Sequence, residues 1–261
     1  MRHLIVRSRN TSCAPLRELI VPITTVYRMG STTPIERILR NPNRQYIEIN
    51  SAKACRISGN KLLMKQKFDE AGVNHAKWVH FNNNVEANHF FRSRFDEFNN
   101  KIIAKKFNSS RGNGLALIQS YDDYLNLKHS DDITQYIFEE YYNYTREYRI
   151  HVTDHGYFYA SRKMLRGDAE VRWHRHSNNS IFYNEDNPEF NKPNTWDEIT
   201  RQCILAKNAI GLDICAFDIK VNRNGDFILL ESNSAPSLKE QGIEKYKVEL
   251  KRLIDEKISQ L

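Results

Sequence analysis

The 261-residue sequence contains no apolar run of about 18 residues, so no membrane-spanning helix and no membrane partner are expected. The stretch MRHLIVRSRNTS carries only a short apolar patch with no small-residue cleavage site after it, and a secretory signal is not expected. The four cysteines, Cys13, Cys55, Cys203 and Cys215, lack CxxC spacing. They fit reduced thiols of a cytoplasmic protein better than a disulfide framework or a zinc site. The sequons at Asn10, Asn108 and Asn143 then carry no meaning. There is no internal repeat, no low-complexity tract and no GxxxxGK[ST], and GNGLAL at 112–117 is not GxGxxG. Solenoid, P-loop and dinucleotide-fingerprint readings are excluded on those grounds.

What is present is uneven charge. Residues 1–60 hold nine arginines and one lysine against three glutamates, while the remainder is balanced at 29 basic and 29 acidic residues. The whole net charge of +7 therefore sits in the first quarter of the chain. Such a segment steers an acidic partner, whether nucleic acid, an acidic peptide or phosphate groups, or is simply a solvated basic surface.

The periodicities give an α+β chain with more than one layer, built on hairpins rather than βαβ units. Residues 1–57 read as short strands (HLIV, LIVPIT, YIEI) between loops. Asn60 caps a helix that places Met64, Phe68 and Ala71 on one face and ends at Gly72. A strand–helix mixture follows: WVHF, a helix near 85–98, KIIAKKF, LALI, a Ser120-capped helix and YIFEEYY. Then come the strands EYRIHV and YFYASRKML and a polar stretch at 172–187. Thr195 and Glu198 form a T-x-x-E capping box. The helix after it carries a stripe of Trp196, Ile199, Cys203, Ala206 and Ile210, closed by Gly211, and a last helix spans roughly 239–259.

The stretch FILLESNSAP (227–236) ends an apolar strand on a carboxylate and a carboxamide. Upstream lies FDIKV, and Asn224-Gly225 between them signals a two-residue type I′ hairpin. That register sets Arg223 against Asp226, Val221 against Ile228 and Asp218 against Glu231. One face then collects Phe217, Ile219, Val221, Ile228 and Leu230. The other collects Asp218, Lys220, Asn222, Glu231 and Asn233, with Phe227 and Leu229 among them. Two carboxylates directly opposed across a ladder repel. A hard divalent cation, with Asn233 as a third oxygen ligand, is the economical compensation, against a surface pair screened by water near Lys220. Such a metal usually accompanies phosphate. The segment KIIAKKFNSSRGNGLALI supplies a glycine flap between two strands, whose amides form a cationic nest.

Taken in order, GNKLLMKQKFDEAGV, IIAKKFNSSRGNG, FEEYYNYTREYRIHV, GLDICAFDIKVNRNGDFILLESNSAPSL and GIEKY resemble the ATP-grasp superfamily, and within it the RimK-type branch that ligates glutamate to a protein. The resemblance runs through most of 59–245. It implies two α+β subdomains, 59–138 and 139–261, gripping ATP between antiparallel sheets beside a short basic N-terminal subdomain, 1–58. Lys61 matches a phosphate-contacting lysine and Lys105 the lysine that reaches the α/β phosphates. Ser110, Gly112 and Gly114 match the flap, the Glu140-Tyr141 backbone the adenine hinge, and Glu147 the ribose acid. Asp218, Glu231 and Asn233 match the ligands of Mg2+ (or Mn2+). An arginine and an asparagine at the reacting phosphate fall among Arg162, Arg172, Arg175 and Asn178.

The implied activity is an ATP-dependent carboxylate–amine ligase working through an acyl phosphate and adding an amino acid to a peptide or protein. An acidic acceptor would suit the basic N-terminal unit. The alternatives are a nucleic-acid-associated ATP-binding or modifying protein and a small-molecule amino-acid ligase. Compactness suggests a phage or accessory gene, and a homo-oligomer is compatible with the sequence. His174 and His176 in WHRHSN read as a solvated or substrate-facing loop rather than a zinc site. YYNYTREY reads as core packing rather than a base-stacking platform. Arg28, beside a small-residue turn, is a candidate for holding a substrate carboxylate.

Overall fold

The computed structural model describes residues 2–8, 10–109, 113–175 and 178–261. Four sheets organise it. The first third holds the strands β1 (Arg2–His3), β2 (Ile5–Arg7), β3 (Ile20–Val21), β4 (Thr25–Arg28) and β5 (Ile47–Ile49). Strands β2, β4 and β5 form a parallel sheet, and β1 pairs with β3 in a small ribbon. The hairpin expectation thus fails for this unit, because each of these strands is followed by a connection that returns the chain to the same end.

Two short helices come next, α1 (Ala52–Gly59) and α2 (Lys61–Ala71). Asn60 ends the first, and its side chain accepts from Leu63 N at 3.1 Å to begin the second. Gly72 closes α2 at φ 67, in the left-handed region that glycine enters without a Cβ clash. The middle segment runs β6 (Trp78–His80), α3 (Asn84–Ser93), β7 (Ile102–Lys106), β8 (Leu115–Ile118), α4 (Tyr121–Ser130) and β9 (Tyr136–Glu140). Its antiparallel sheet has the order β6-β9-β7-β8 and buries Phe81, Phe90, Phe91, Phe98 and Phe138 under α3 and α4.

The last sheet has the order β12-β11-β10-β13-β14, all antiparallel. Its strands are β10 (Arg146–Thr153), β11 (Gly156–Leu165), β12 (Ser180–Asn184), β13 (Cys215–Val221) and β14 (Phe227–Asn233). One face packs Tyr148, Ile150, Val152, Phe217, Ile219 and Val221 against α5 (Trp196–Ile210) and α2. The expected stripe of α5 is buried there, led by Trp196 at 2% exposure. The capping box does not form. The Thr195 hydroxyl instead donates to Gly225 O at 2.9 Å, tying the helix start to the hairpin tip, and Glu198 pairs with Arg201. Helix α6 (Glu240–Ser259) lays Tyr246, Leu250, Leu253 and Ile254 into a third core with Leu4, Val6, Tyr27 and Ile49 of the parallel sheet. Among the described residues no helix is long and apolar enough to cross a membrane.

Arg28 is buried in this N-terminal unit rather than open to a substrate. Its Nε meets Glu48 Oε1 at 2.5 Å and its guanidinium donates to Thr33 O, closing the 29–34 turn. Asn50 clasps the unit to the last sheet, its Oδ1 accepting from Asp213 N at 2.8 Å and from Ile214 N at 3.1 Å.

His151 gives this fold a pH dependence. It is fully buried on β10, its Nδ1 2.9 Å from the Tyr246 hydroxyl and its ring among Phe158, Tyr159 and Tyr246. Burial, aided by the charge of Arg149, lowers its pKa to about 3. In the unfolded chain a histidine titrates near ~6.5. Below that pH the unfolded state binds a proton that the native state refuses, so the imidazole subtracts stability as pH falls from ~6.5 toward the folded value. Urea titrations from pH 7 to 5 are expected to lose up to about 1.4 kcal/mol per pH unit from this group, and His151→Gln to flatten that slope.

Candidate functional site

The polar face of the last sheet and the middle sheet look at each other across a cleft of about 670 Å3. Lys61, Lys105, Arg149, Lys163, Arg175 and Lys220 supply its cations, and Glu139, Glu140, Glu147, Asp218 and Glu231 its acids.

On the last sheet the side chains stand in rows fixed by the pairing. Glu231 faces Asp218, and Asp218 faces Arg149. One step along, Lys220 faces Glu147, and Glu147 faces Lys163. Only the Asp218 end of the hairpin follows the expected register. The connection is a three-residue loop, 223–225, with Asn222 N donating to Asp226 O at 2.9 Å and Gly225 at φ 94. That shifts the partners to Val221–Phe227, Lys220–Ile228 and Ile219–Leu229. A bulge at Leu230 then restores the Asp218–Glu231 pair. As a result Phe227 and Leu229, not Ile228 and Leu230, lie in the core under α5; Ile228 is buried outside that cluster, and Leu230 lines the cleft. One extra residue on one strand moves the following side chains to the other face.

Compensation for the opposed carboxylates also differs from expectation. Asp218, 2% exposed, accepts from Arg149 Nε at 2.7 Å, Arg149 NH2 at 2.9 Å and Lys163 Nζ at 2.5 Å. Lys163 also bonds Glu147 Oε1 at 2.9 Å. Burial opposes ionisation of Asp218, yet Arg149 and then Lys163 outweigh it and hold the carboxyl well below its ordinary range. Two acids and two bases thus neutralise one another inside the sheet. Glu231 and Asn233 are half-buried and make no side-chain hydrogen bond or ion pair among the described residues. Among those residues no three His, Cys, Asp or Glu side chains converge. The available set is two carboxylates and a carboxamide, an all-oxygen group that suits a hard divalent cation. Asp218 has about four lone-pair sites and uses three, so one is left for a metal.

On the middle sheet Lys105 Nζ lies 2.9 Å from Glu139 Oε2, and the same oxygen is 3.2 Å from Lys65 Nζ. Burial works against the Glu139 anion, but Lys105 and Lys65 override it and set its pKa at about 2. Lys61 opens α2, and its Nζ donates to Ser109 O at 2.5 Å, holding the strand end before the glycine loop. Ser110 and Gly112 lie outside the described residues. Gly114 has φ 66, and a Cβ there would stand 2.8 Å from Lys106 Cβ, so the return of the loop requires glycine.

The remaining expected residues divide. Glu147 lines the cleft, partnered by Lys163. The amides of Glu140 and Tyr141 are spent on Lys77 O and Lys101 O, each at 2.9 Å. Glu140 and Tyr142 line the cleft; Tyr141 does not. Arg162 points to the other face, opposite Tyr148, and donates to Glu189 O at 2.6 Å. Its neighbour Lys163 takes the inward position. Arg175 lines the cleft, 4.7 Å over the Tyr144 ring, with NH1 2.9 Å from Lys163 O. Arg172 and Asn178 are exposed and outside the lining. Asn179 is buried instead, its Nδ2 donating to Val171 O and His174 O at 3.1 Å. His174 lines the cleft beside Trp173, and His176 lies outside the described residues.

No protein-family model and no curated protein matches the chain. Solved structures do. D-alanyl-alanine synthetase A from Vibrio cholerae O1 is similar at TM-score 0.63 and 16% identity, over 85% of this chain and 70% of that one. D-alanine–D-alanine ligase from Bacillus anthracis is similar at TM-score 0.67 and 11% identity, over 96% and 92%. The ATP-grasp ligase PsnB, complexed with minimal precursor, Mg and ADP, is similar at TM-score 0.56 and 16% identity, over 85% and 72%. At these identities it is the fold that is shared.

The two acids expected to bind metal, Asp218 and Glu231, are separable by their partners. Asp218→Asn leaves Arg149 buried without its counter-charge and Lys163 with Glu147 alone, and is expected to cost about 3–5 kcal/mol in urea denaturation. Glu231→Gln removes no partner and is expected to stay within about 0.5 kcal/mol of the parent.

Proposed function

We propose that this chain, whose fold is the ATP-grasp fold, is an ATP-dependent carboxylate–amine ligase. The observation that carries the reading is the facing of two sheets across one cleft. One brings Lys105, the other Asp218 opposite Glu231 with Asn233 on the same strand, and Lys61 joins them from the start of α2. A polyanion with an associated cation fits between them. The order of the RimK-like motifs supports a protein or peptide ligase within that class, and the structural similarity to a ligase complexed with its precursor agrees with it.

In this reading ATP lies with its phosphates toward Lys61, Lys105 and the glycine loop and its base toward 140–143. Because the amides of Glu140 and Tyr141 are engaged, the base edge would be met by Tyr142 or Asn143 rather than by those two. Asp218, Glu231 and Asn233 would hold Mg2+, which supplies Lewis acidity toward phosphate oxygens when bound. A substrate carboxylate oxygen attacks the γ-phosphorus, the bond to the ADP oxygen breaks, and an acyl phosphate forms. The amine nitrogen then attacks the acyl carbon. Phosphate leaves with the former carboxylate oxygen, and the nitrogen loses a proton. The chain's own part is to position the reactants and neutralise the transferring charge, with Lys61, Lys105 and Arg175 as cations of the cleft lining. Trp173 and His174 line the cleft and would face the amine.

The partners that fit are an amino acid and a peptide or protein end. The exposed Arg2, Arg7, Arg17, Arg37, Arg40 and Arg44 favour an acidic acceptor. The nucleic-acid reading rests on the same arginines and lacks a matching feature in the cleft. Wild type incubated with MgATP, amino acids and glutamate-containing peptides is expected to release ADP and add an amino-acid mass to a peptide. Glu231→Gln, folded as above, is expected to lose at least ~100-fold of that turnover, the scale of one displaced electrostatic group. Full turnover in that variant, or none in wild type with any mixture, would remove the ligase reading.

A further inference from the structure

Lys220 is left over from the charge pairing of the cleft. It is 7% exposed on β13, two residues beyond Asp218 and on the same face of the strand. Its ammonium makes no hydrogen bond or ion pair among the described residues. The acid facing it across the ladder, Glu147, spends its Oε1 on Lys163. Two rings flank the ammonium instead: Tyr144 with its centroid at 4.1 Å and Tyr141 at 5.5 Å. Lys220 nevertheless belongs to the cleft lining, and its Nζ is not among the enclosed atoms that lack a partner, so the ammonium keeps a path into the cleft. A buried cation held only by aromatic faces is costly unless an acceptor completes it.

Its position narrows what that acceptor is. Two residues along a strand span roughly 7 Å, so Lys220 stands about that far from the carboxylate of the metal set. Lys105 belongs to the facing sheet and Lys61 to the start of α2, while Tyr141 and Tyr144, whose rings flank Lys220, belong to the connection after β9, toward which the reading above turns the base. Lys220 therefore lies at the nucleoside end, not the phosphate end.

We propose that Lys220 is a specificity-determining residue that donates a hydrogen bond to an acceptor atom of the purine base. The inference rests on the nucleotide reading above and adds a base contact that the motif order does not supply. An ammonium is a donor only, so it reads ring nitrogens or carbonyl oxygens and rewards a base that places one within reach. The aromatic faces of Tyr141 and Tyr144 hold the side chain in place without neutralising it.

The test is calorimetric titration, in the presence of Mg2+, of ATP, CTP and inorganic tripolyphosphate into wild type, Lys220→Met and Lys220→Arg. The methionine variant removes a buried unpaired charge while keeping an unbranched side chain one heavy atom shorter, and it is expected to melt no lower than wild type. Expected is a loss of ~10-fold or more in ATP affinity for Lys220→Met, the scale of one charge-assisted hydrogen bond. Its tripolyphosphate affinity should stay within about two-fold of wild type, because that probe has no base to lose. The preference for ATP over CTP should shrink with it, and Lys220→Arg should recover most of the ATP affinity. An equal loss for ATP and tripolyphosphate would assign Lys220 to the phosphates, and an ATP loss with unchanged ATP-to-CTP preference would assign it to the sugar. Either result overturns the proposal, as does unchanged ATP binding. Wild type that binds neither ATP nor tripolyphosphate would instead overturn the nucleotide reading itself.

Discussion

Strand β14 has to serve two masters within seven residues. Phe227 and Leu229 belong to the core under α5, whereas Glu231 and Asn233 belong to the cleft on the opposite face. All four have odd numbers, and a regular strand would place them on one side. The bulge at Leu230 resolves this by inserting one unpaired residue between the core half and the cleft half. Glu231 then stands opposite Asp218, which stands opposite Arg149, and the whole charged row follows. Thr195 fixes the hairpin from outside by donating to Gly225 O, so the start of α5 and the register of the site are one piece of structure.

Charge in the cleft is organised in two tiers. The inner tier, Arg149, Asp218, Lys163 and Glu147, is buried and neutral within itself. It sets the geometry and offers a ligand little net charge. The outer tier is what remains, among the described residues, without an opposite charge in contact: the acids Glu231 and Glu140, and the cations Lys61, Lys220 and Arg175. Across the gap Glu139 serves two lysines at once, leaving one surplus cation at the cleft. In the proposed reading a polyphosphate with a divalent cation would satisfy both remainders, the cation taking Glu231 and Asn233 and the phosphate taking the lysines.

Much of this was legible from local signals. Asn60 and Gly72 bound α2 because a cap and a left-handed stop are written in single residues. The hairpin was legible from Asn224-Gly225, and its end pair from the same source, although the loop length and the bulge were both missed and cancelled each other. What was hidden is what only tertiary pairing decides. Arg162 and Lys163 are adjacent on a strand with polar side chains on both faces, so parity alone could not say which looks inward; the pairing of Lys163 with Glu147 does. Lys65 and Glu139 are 74 positions apart in the sequence and meet only in the fold. Helix α1 was passed over because SAKACRISG is short and its one strong signal, Ser51 accepting from Ala54 N, is common in loops too. Arg28 looked available beside its turn, and Glu48 twenty residues later makes it a buried pair.

The central claim is that one cleft holds a nucleotide by its phosphates and a divalent cation on Asp218, Glu231 and Asn233. The most direct test is a crystal structure grown with a non-hydrolysable ATP analogue and Mn2+, with diffraction recorded at the manganese edge. An anomalous peak is expected within coordination distance of Glu231 and Asn233, with phosphate density between it and Lys105. Nucleotide density elsewhere, or a manganese peak away from these three side chains, would contradict it.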